Sequence, residues 1–154
     1  MAHYWLMKSE PDDCSIDDAL AAPDATVPWT GVRSFQARNF MRDGMHVGDG
    51  VLFYHSSCPQ PGIVGIARVA SGTRPDPTQF DPSSPYYDST SRREAPKWLL
   101  LDVQALRKTR LLGLAEMRAS AELADMIVLR RGNRLSITPV DEVHWDLITD
   151  KMLA

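Results

Sequence analysis

Cysteine is scarce in this 154-residue chain: Cys14 and Cys58 are the only two, too few for a disulfide scaffold. No window approaches about 18 uninterrupted apolar residues, so no membrane-spanning segment is expected. The first ten residues lack the basic start and apolar stretch of a signal peptide, which points to a cytoplasmic protein with reduced thiols. Metal-ligand spacing is missing too. The four histidines (His3, His46, His55, His144) form no two-ligand pair, and the cysteines are not in C-x-x-C order. There is no nucleophile elbow, phosphate loop or dinucleotide fingerprint. These absences favour a non-enzymatic protein without a metal or cofactor.

What is present is a hydrophobic fraction of 44% beside 24% charged residues, enough for one packed core and too apolar for disorder. The net charge of −3 hides an uneven distribution. Residues 1–24 carry six acids against Lys8 alone, a net of −5, so the remaining 130 residues are slightly basic. Basic clusters stand at Arg33, Arg38 and Arg42, at Arg107, Lys108 and Arg110, and at Arg130, Arg131 and Arg134. Composition alone reads all three as solvated faces.

Apolar runs of strand length occur at residues 3–7, 51–56, 63–69 and 98–106, with a brief one at 135–137. Ser15 with Asp18 three residues later marks a capped short helix carrying Ile16 and Leu20 on one face. A second helix is expected from about Ser34 to Asp43, stopped by Gly44, and a third around Leu114 and Met117. A final helix is read as capped by Thr138-Pro139, with Val140, Val143, Leu147 and Ile148 as its buried stripe. The proline-rich residues 71–97 form a long excursion. The result is a single α+β domain over 1–154, with a small curled sheet or barrel. Trp5 and Trp145 read as core. Trp29 lies at a loop-to-helix junction beside arginines, and plugging the sheet edge and stacking on a base are equal readings for it.

Several segments in order resemble the family of EVE-domain proteins. They are Tyr4-Trp5-Leu6-Met7-Lys8-Ser9-Glu10-Pro11, Trp29-Thr30-Gly31-Val32-Arg33 with Gln36-Ala37-Arg38-Asn39-Phe40, and Gly48-Asp49 leading to Phe53-Tyr54-His55-Ser56. Pro61-Gly62-Ile63-Val64-Gly65, Pro75-Asp76-Pro77-Thr78, Ser84-Pro85-Tyr86-Tyr87-Asp88 and residues 130–136 match as well. The resemblance implies a PUA-like fold, a small mixed β-barrel with flanking helices, related to YTH domains that read methylated adenine in RNA. It also implies a nucleic-acid-binding module that recognises a modified base in an aromatic pocket, chiefly a modified cytosine in DNA, with RNA second. The pocket implied is Lys8, Ser9, Trp29, Thr30, Ser34, Asn39, His55 and Ser56, with Trp29 stacking and Arg33, Arg38 and Arg42 facing phosphates. Tyr86, Tyr87 and Trp98 are assigned to holding the long loop, with a pocket lid as second role. Ser34 and Cys14 depart from the Asn and Tyr common in that family, and Ser34 would alter how a base edge is read. A monomer is expected, with a nuclease or motor protein as partner. The alternatives are an enzyme acting on nucleic acid or a modified nucleotide, and a small-molecule or protein-interaction module with a degenerate pocket.

Overall fold

The computed structural model of the chain describes residues 3–153. Its frame is a six-stranded sheet in the order β2-β7-β4-β3-β1-β8. The strands are β1 (Tyr4–Ser9), β2 (Thr26–Pro28), β3 (Gly50–His55), β4 (Gly62–Val69), β7 (Asp102–Gly113) and β8 (Ile137–Val140). Two short strands, β5 (Arg74–Pro75) and β6 (Leu99–Leu100), form a separate ribbon within the long excursion. The helices are α1 (Ile16–Ala21), α2 (Phe35–Asn39), α3 (Leu114–Ala119) and α4 (Glu142–Leu147).

Apolar side chains cover both faces of the sheet, because successive residues of a strand point to opposite sides. Trp5, Met7, Val51 and Phe53 enter one buried cluster together with Trp29 and Ile16. Leu6, Leu52 and Tyr54 enter the other, with Met117 and Ile148. Two-sided burial explains why the sequence shows continuous apolar runs rather than alternation. β1 and β3 are parallel, and every other neighbouring pair in the sheet is antiparallel. Parallel pairing sets the carboxyl ends of β1 and β3 side by side, Ser9 opposite His55. The loops leaving both strands therefore open at the same end.

The expected barrel does not close. β2 and β8 are opposite edges of an open sheet and do not pair with each other. The bends come from irregular register between β3 and β4 and between β4 and β7, where extra residues curl the sheet without joining its edges. The strand expected to end near Leu106 continues as β7 to Gly113. β2 pairs only with Val103 and its two neighbours, and farther along β7 carries exposed Arg107, Lys108 and Arg110. Thr138-Pro139 does not cap the last helix. Both residues belong to β8, an edge strand where proline is tolerated. Asp141 precedes α4 instead, and Val143 is 69% exposed rather than part of a buried stripe. α2 is shorter than expected because a wider π-type turn, Phe40–Gly44, completes the segment.

The capping arrangement at Ser15 is present in full. The Asp18 N–H donates to Ser15 Oγ at 3.0 Å, and the Ser15 N–H donates to Asp18 Oδ2 at 3.0 Å. Trp5 is buried as expected, while Trp145 is half-buried and stacks on Tyr4 at 4.4 Å. Under the first cluster lies the buried Asp49 carboxylate, which accepts the Trp5 indole N–H at 3.0 Å and the His46 N–H at 2.9 Å. Trp5→Phe keeps most of the packing but removes that donor. It should cost about 1–3 kcal/mol, seen in urea as a lower midpoint with an unchanged slope.

Candidate functional site

At the carboxyl ends of β1 and β3 lies an open cleft of about 480 Å³. Its floor comes from Lys8 and Ser9 at the end of β1 and from Ser56 and Ser57 after β3. One wall is the β2–α2 connection, including Trp29, Thr30 and Gly31. The Trp29 N–H donates to Leu101 O at 2.8 Å, continuing the sheet's bonding one residue past β2. The turn after β1 supplies Glu10, Asp13 and Cys14, the long excursion supplies Tyr86, and the approach to β8 supplies Arg134 and Ser136.

Five of the eight pocket residues named from sequence meet here: Lys8, Ser9, Trp29, Thr30 and Ser56. Trp29 lies between the core and the cleft. It is only 6% exposed and packs edge-on against Phe53 at 5.3 Å, so it plugs the core while one side borders the cleft. Among the described residues its indole N–H has no hydrogen-bond partner, whereas those of Trp5 and Trp98 are held by Asp49 and Asp88. A second aromatic side chain, Tyr86, also lines the cleft. The Ser9 hydroxyl donates to Cys14 O at 2.6 Å and fixes the turn after β1.

Ser34, Asn39 and His55 do not border the cleft. The Ser34 hydroxyl caps α2 by accepting the Ala37 N–H at 3.3 Å, so its departure from Asn is a capping matter. The Asn39 amide oxygen accepts from the Arg38 guanidinium at 2.9 and 3.2 Å. His55 Nε2 accepts the Ile16 N–H at 3.1 Å and satisfies the first turn of α1. Burial pushes the His55 imidazole pKa down, with Lys108 acting the same way and Asp17 against it. Its ring borders a second hollow beside Cys58.

None of the three arginines expected to face phosphates lines the cleft or is without a partner within the protein. Arg33 directs every N–H inward: to Tyr86 O at 2.8 and 3.0 Å, Val32 O at 2.9 Å, Asp76 Oδ2 at 3.0 Å and Thr78 Oγ1 at 3.0 Å. The buried Asp76 also accepts the Gly31 N–H at 2.9 Å and both Thr78 donors. Burial works to raise the Asp76 carboxyl, but the bonds from Thr78, Gly31 and Arg33 outweigh it and hold its pKa below the usual range. Arg38 donates to Lys97 O at 2.9 Å and lies over Phe35, which stacks on Trp98, which in turn faces Arg33. Arg42 is exposed but paired with Asp43 at 2.9 Å.

Sequence reasoning gave Tyr86 the role of holding the long loop first and that of a pocket lid second; in the structure it holds the loop and also lines the cleft. Its carbonyl is held by Arg33, its ring lies over Gly31, and its hydroxyl donates to Asp13 Oδ2 at 2.7 Å across the mouth. Gly31 has φ +83, and a β-carbon there would stand 2.7 Å from the tyrosine ring. Only glycine fits. Among the described residues no group of three or more His, Cys, Asp or Glu could hold a metal ion, and no helix is long and apolar enough to cross a membrane.

Fold and cleft together define a small α+β domain whose loops converge around a cleft at one end of an open sheet. The chain belongs to the EVE domain family, whose profile matches residues 3–151. It is 42% identical to chicken thymocyte nuclear protein 1, covering 94% of this chain and 66% of that protein. The human counterpart is 38% identical, with 96% and 73% covered, so this chain spans about two thirds to three quarters of their length. A Pseudomonas putida protein superposes with a TM-score of 0.90 at 44% identity, covering 96% of this chain and 97% of that one. The human THYN1 protein in complex with 5-methylcytosine-containing DNA also superposes with a TM-score of 0.90, at 38% identity over 97% and 96% of the two chains.

The Asp13 hydrogen bond, then burial and the Asp13 and Glu10 charges, push the Tyr86 phenol pKa from 10 up to about 12, against a small opposing effect of Arg33. A raised phenol pKa means the bond contributes fully below pH 10 and is lost as pH rises toward about 12. NMR titration of the tyrosine ring carbons, assigned with Tyr86→Phe, should find this late phenol. Asp13→Asn should return it toward 10.

Proposed function

We propose that this chain is a non-enzymatic DNA-binding module that reads 5-methylcytosine swung out of the duplex into the cleft. The observation that carries this reading is the cleft itself, in a chain that superposes on the human THYN1 protein in complex with 5-methylcytosine-containing DNA. Its volume of about 480 Å³ suits one nucleotide and lies within the ordinary range of small-ligand sites. An extruded base needs an aromatic partner and polar groups for its edge. Tyr86 offers the ring, and the Trp29 indole N–H, the Thr30 and Ser56 hydroxyls and the Glu10 carboxylate offer donors and acceptors of both kinds. A cytosine presents an amino donor and two acceptors, so this mixed set fits it. Val27 and Pro28 give the methyl group an apolar wall.

One buried methyl is worth about 1 kcal/mol, or roughly fivefold. A duplex with one 5-methylcytosine should therefore bind at least that much more tightly than its unmodified twin in a fluorescence-anisotropy titration. Tyr86→Ala should lose about 1–3 kcal/mol of affinity for the methylated duplex through lost stacking. Equal affinity of the wild-type protein for both duplexes would contradict the reading.

A further inference from the structure

The cations that a reader of DNA needs for the phosphate backbone are not the ones the sequence pointed to. Arg33 and Arg38 serve as internal struts, and Arg42, Arg74, Lys108 and Arg110 are paired with Asp43, Asp102, Asp17 and Glu116. Arg130, Arg131 and Arg134 are exposed, and among the described residues their side chains make no hydrogen bond or ion pair. Residues 126–140 contain no acid at all.

Their segment is built rather than loose. The Asn133 N–H donates to Arg130 O at 3.2 Å, its amide Nδ2 to Ile127 O at 3.2 Å, and its Oδ1 accepts the Leu135 N–H at 3.1 Å. Gly132, at φ +77, takes the left-handed position of this tight turn. The segment is then tied to the cleft floor, where the Lys8 N–H donates to Ser136 O at 2.8 Å. Arg134 borders the cleft itself. Lys8, half-buried over the Tyr54 ring at 5.8 Å, adds a cation without an acid partner among the described residues. Arg118 acts on the same Tyr54 phenol. The cleft is thus polarised: Glu10 and Asp13 stand on the turn after β1, and the unpaired bases stand toward β8.

We propose that the 130–134 turn is a phosphodiester-binding platform that holds the DNA backbone beside the base-reading cleft. This inference rests on the reading that the chain binds DNA. An overall charge of −3 does not oppose it. At physiological salt, charges beyond about 8 Å are largely screened, so a local unpaired cluster decides backbone contact. The platform also sets direction: the backbone lies toward β8, away from the acidic turn.

The test measures affinity from about 50 to 200 mM salt, on one duplex with and one without 5-methylcytosine, each B-DNA phosphate contact contributing a slope of about 0.9. The double variant Arg130→Gln/Arg131→Gln should flatten the slope of log affinity against log salt by about 1.8 on either duplex. Its preference for the methylated duplex should be unchanged, and adding Arg134→Gln should remove about 0.9 more. Arg110→Gln, at an arginine already paired with Glu116, should leave the slope as in wild type. A wild-type slope and affinity in the double variant would overturn the platform, whatever the methyl preference. A flattened slope with no methyl preference in the wild-type protein would uphold the platform and overturn the reader. Failure of the wild-type protein to bind either duplex at about 50 mM salt would overturn both.

Discussion

The Arg33–Asp76 pair is the constraint from which the cleft's shape follows. Asp76 is buried and receives bonds from Gly31, Arg33 and Thr78, and Arg33 uses its remaining donors on Tyr86 O, Thr78 and Val32 O. Arg33 belongs to the connection entering α2, while Asp76, Thr78 and Tyr86 belong to the excursion some 43 to 53 residues later. A buried carboxylate left without its cation is costly, so the two segments have one favourable arrangement. In it the Tyr86 ring lies over Gly31, and its hydroxyl reaches Asp13 on a third segment. A planar fork is required: a lysine could pair with Asp76 but could not also grip two carbonyls and a hydroxyl.

The same physics separates what was legible in the sequence from what was not. Strands, helix caps and the core arise from local pattern, and the Ser15–Asp18 box and the buried runs of β1, β3 and β4 were readable for that reason. That Lys8, Ser9, Trp29, Thr30 and Ser56 share one cleft was readable because they sit where strands end, whatever packs above them. That Arg33, Arg38, Asn39 and His55 lie outside the cleft lining was not readable, because a polar side chain's availability depends on partners far along the chain. Those partners are Asp76 and Tyr86 for Arg33, Lys97 for Arg38, and Ile16 for His55. The closed barrel failed for a related reason, since edge pairing is a property of the whole sheet.

Beside the surface ion pairs, arginine serves this chain in two contrasting ways. Arg38, Phe35, Trp98, Arg33 and Tyr86 form a ladder of cations and rings spaced 4.7 to 5.6 Å apart, which braces the cleft wall from behind. The arginines of the 130–134 turn stand on the other side with no internal partner among the described residues. An acid-free stretch holding three arginines was a visible signal in the sequence. Charge patterning alone could not separate it from the clusters that the fold consumes.

Trp29 lies where these parts meet, buried in the core and bordering the cleft, its indole N–H unpartnered among the described residues. The most direct test of the account is therefore the indole N–H resonance of Trp29 in a ¹⁵N correlation spectrum, assigned with Trp29→Phe. On addition of a duplex carrying one 5-methylcytosine this resonance should shift, while those of Trp5 and Trp98, already bonded to Asp49 and Asp88, should stay in place. An unmoved Trp29 resonance at saturating methylated DNA would mean that the base does not enter the cleft.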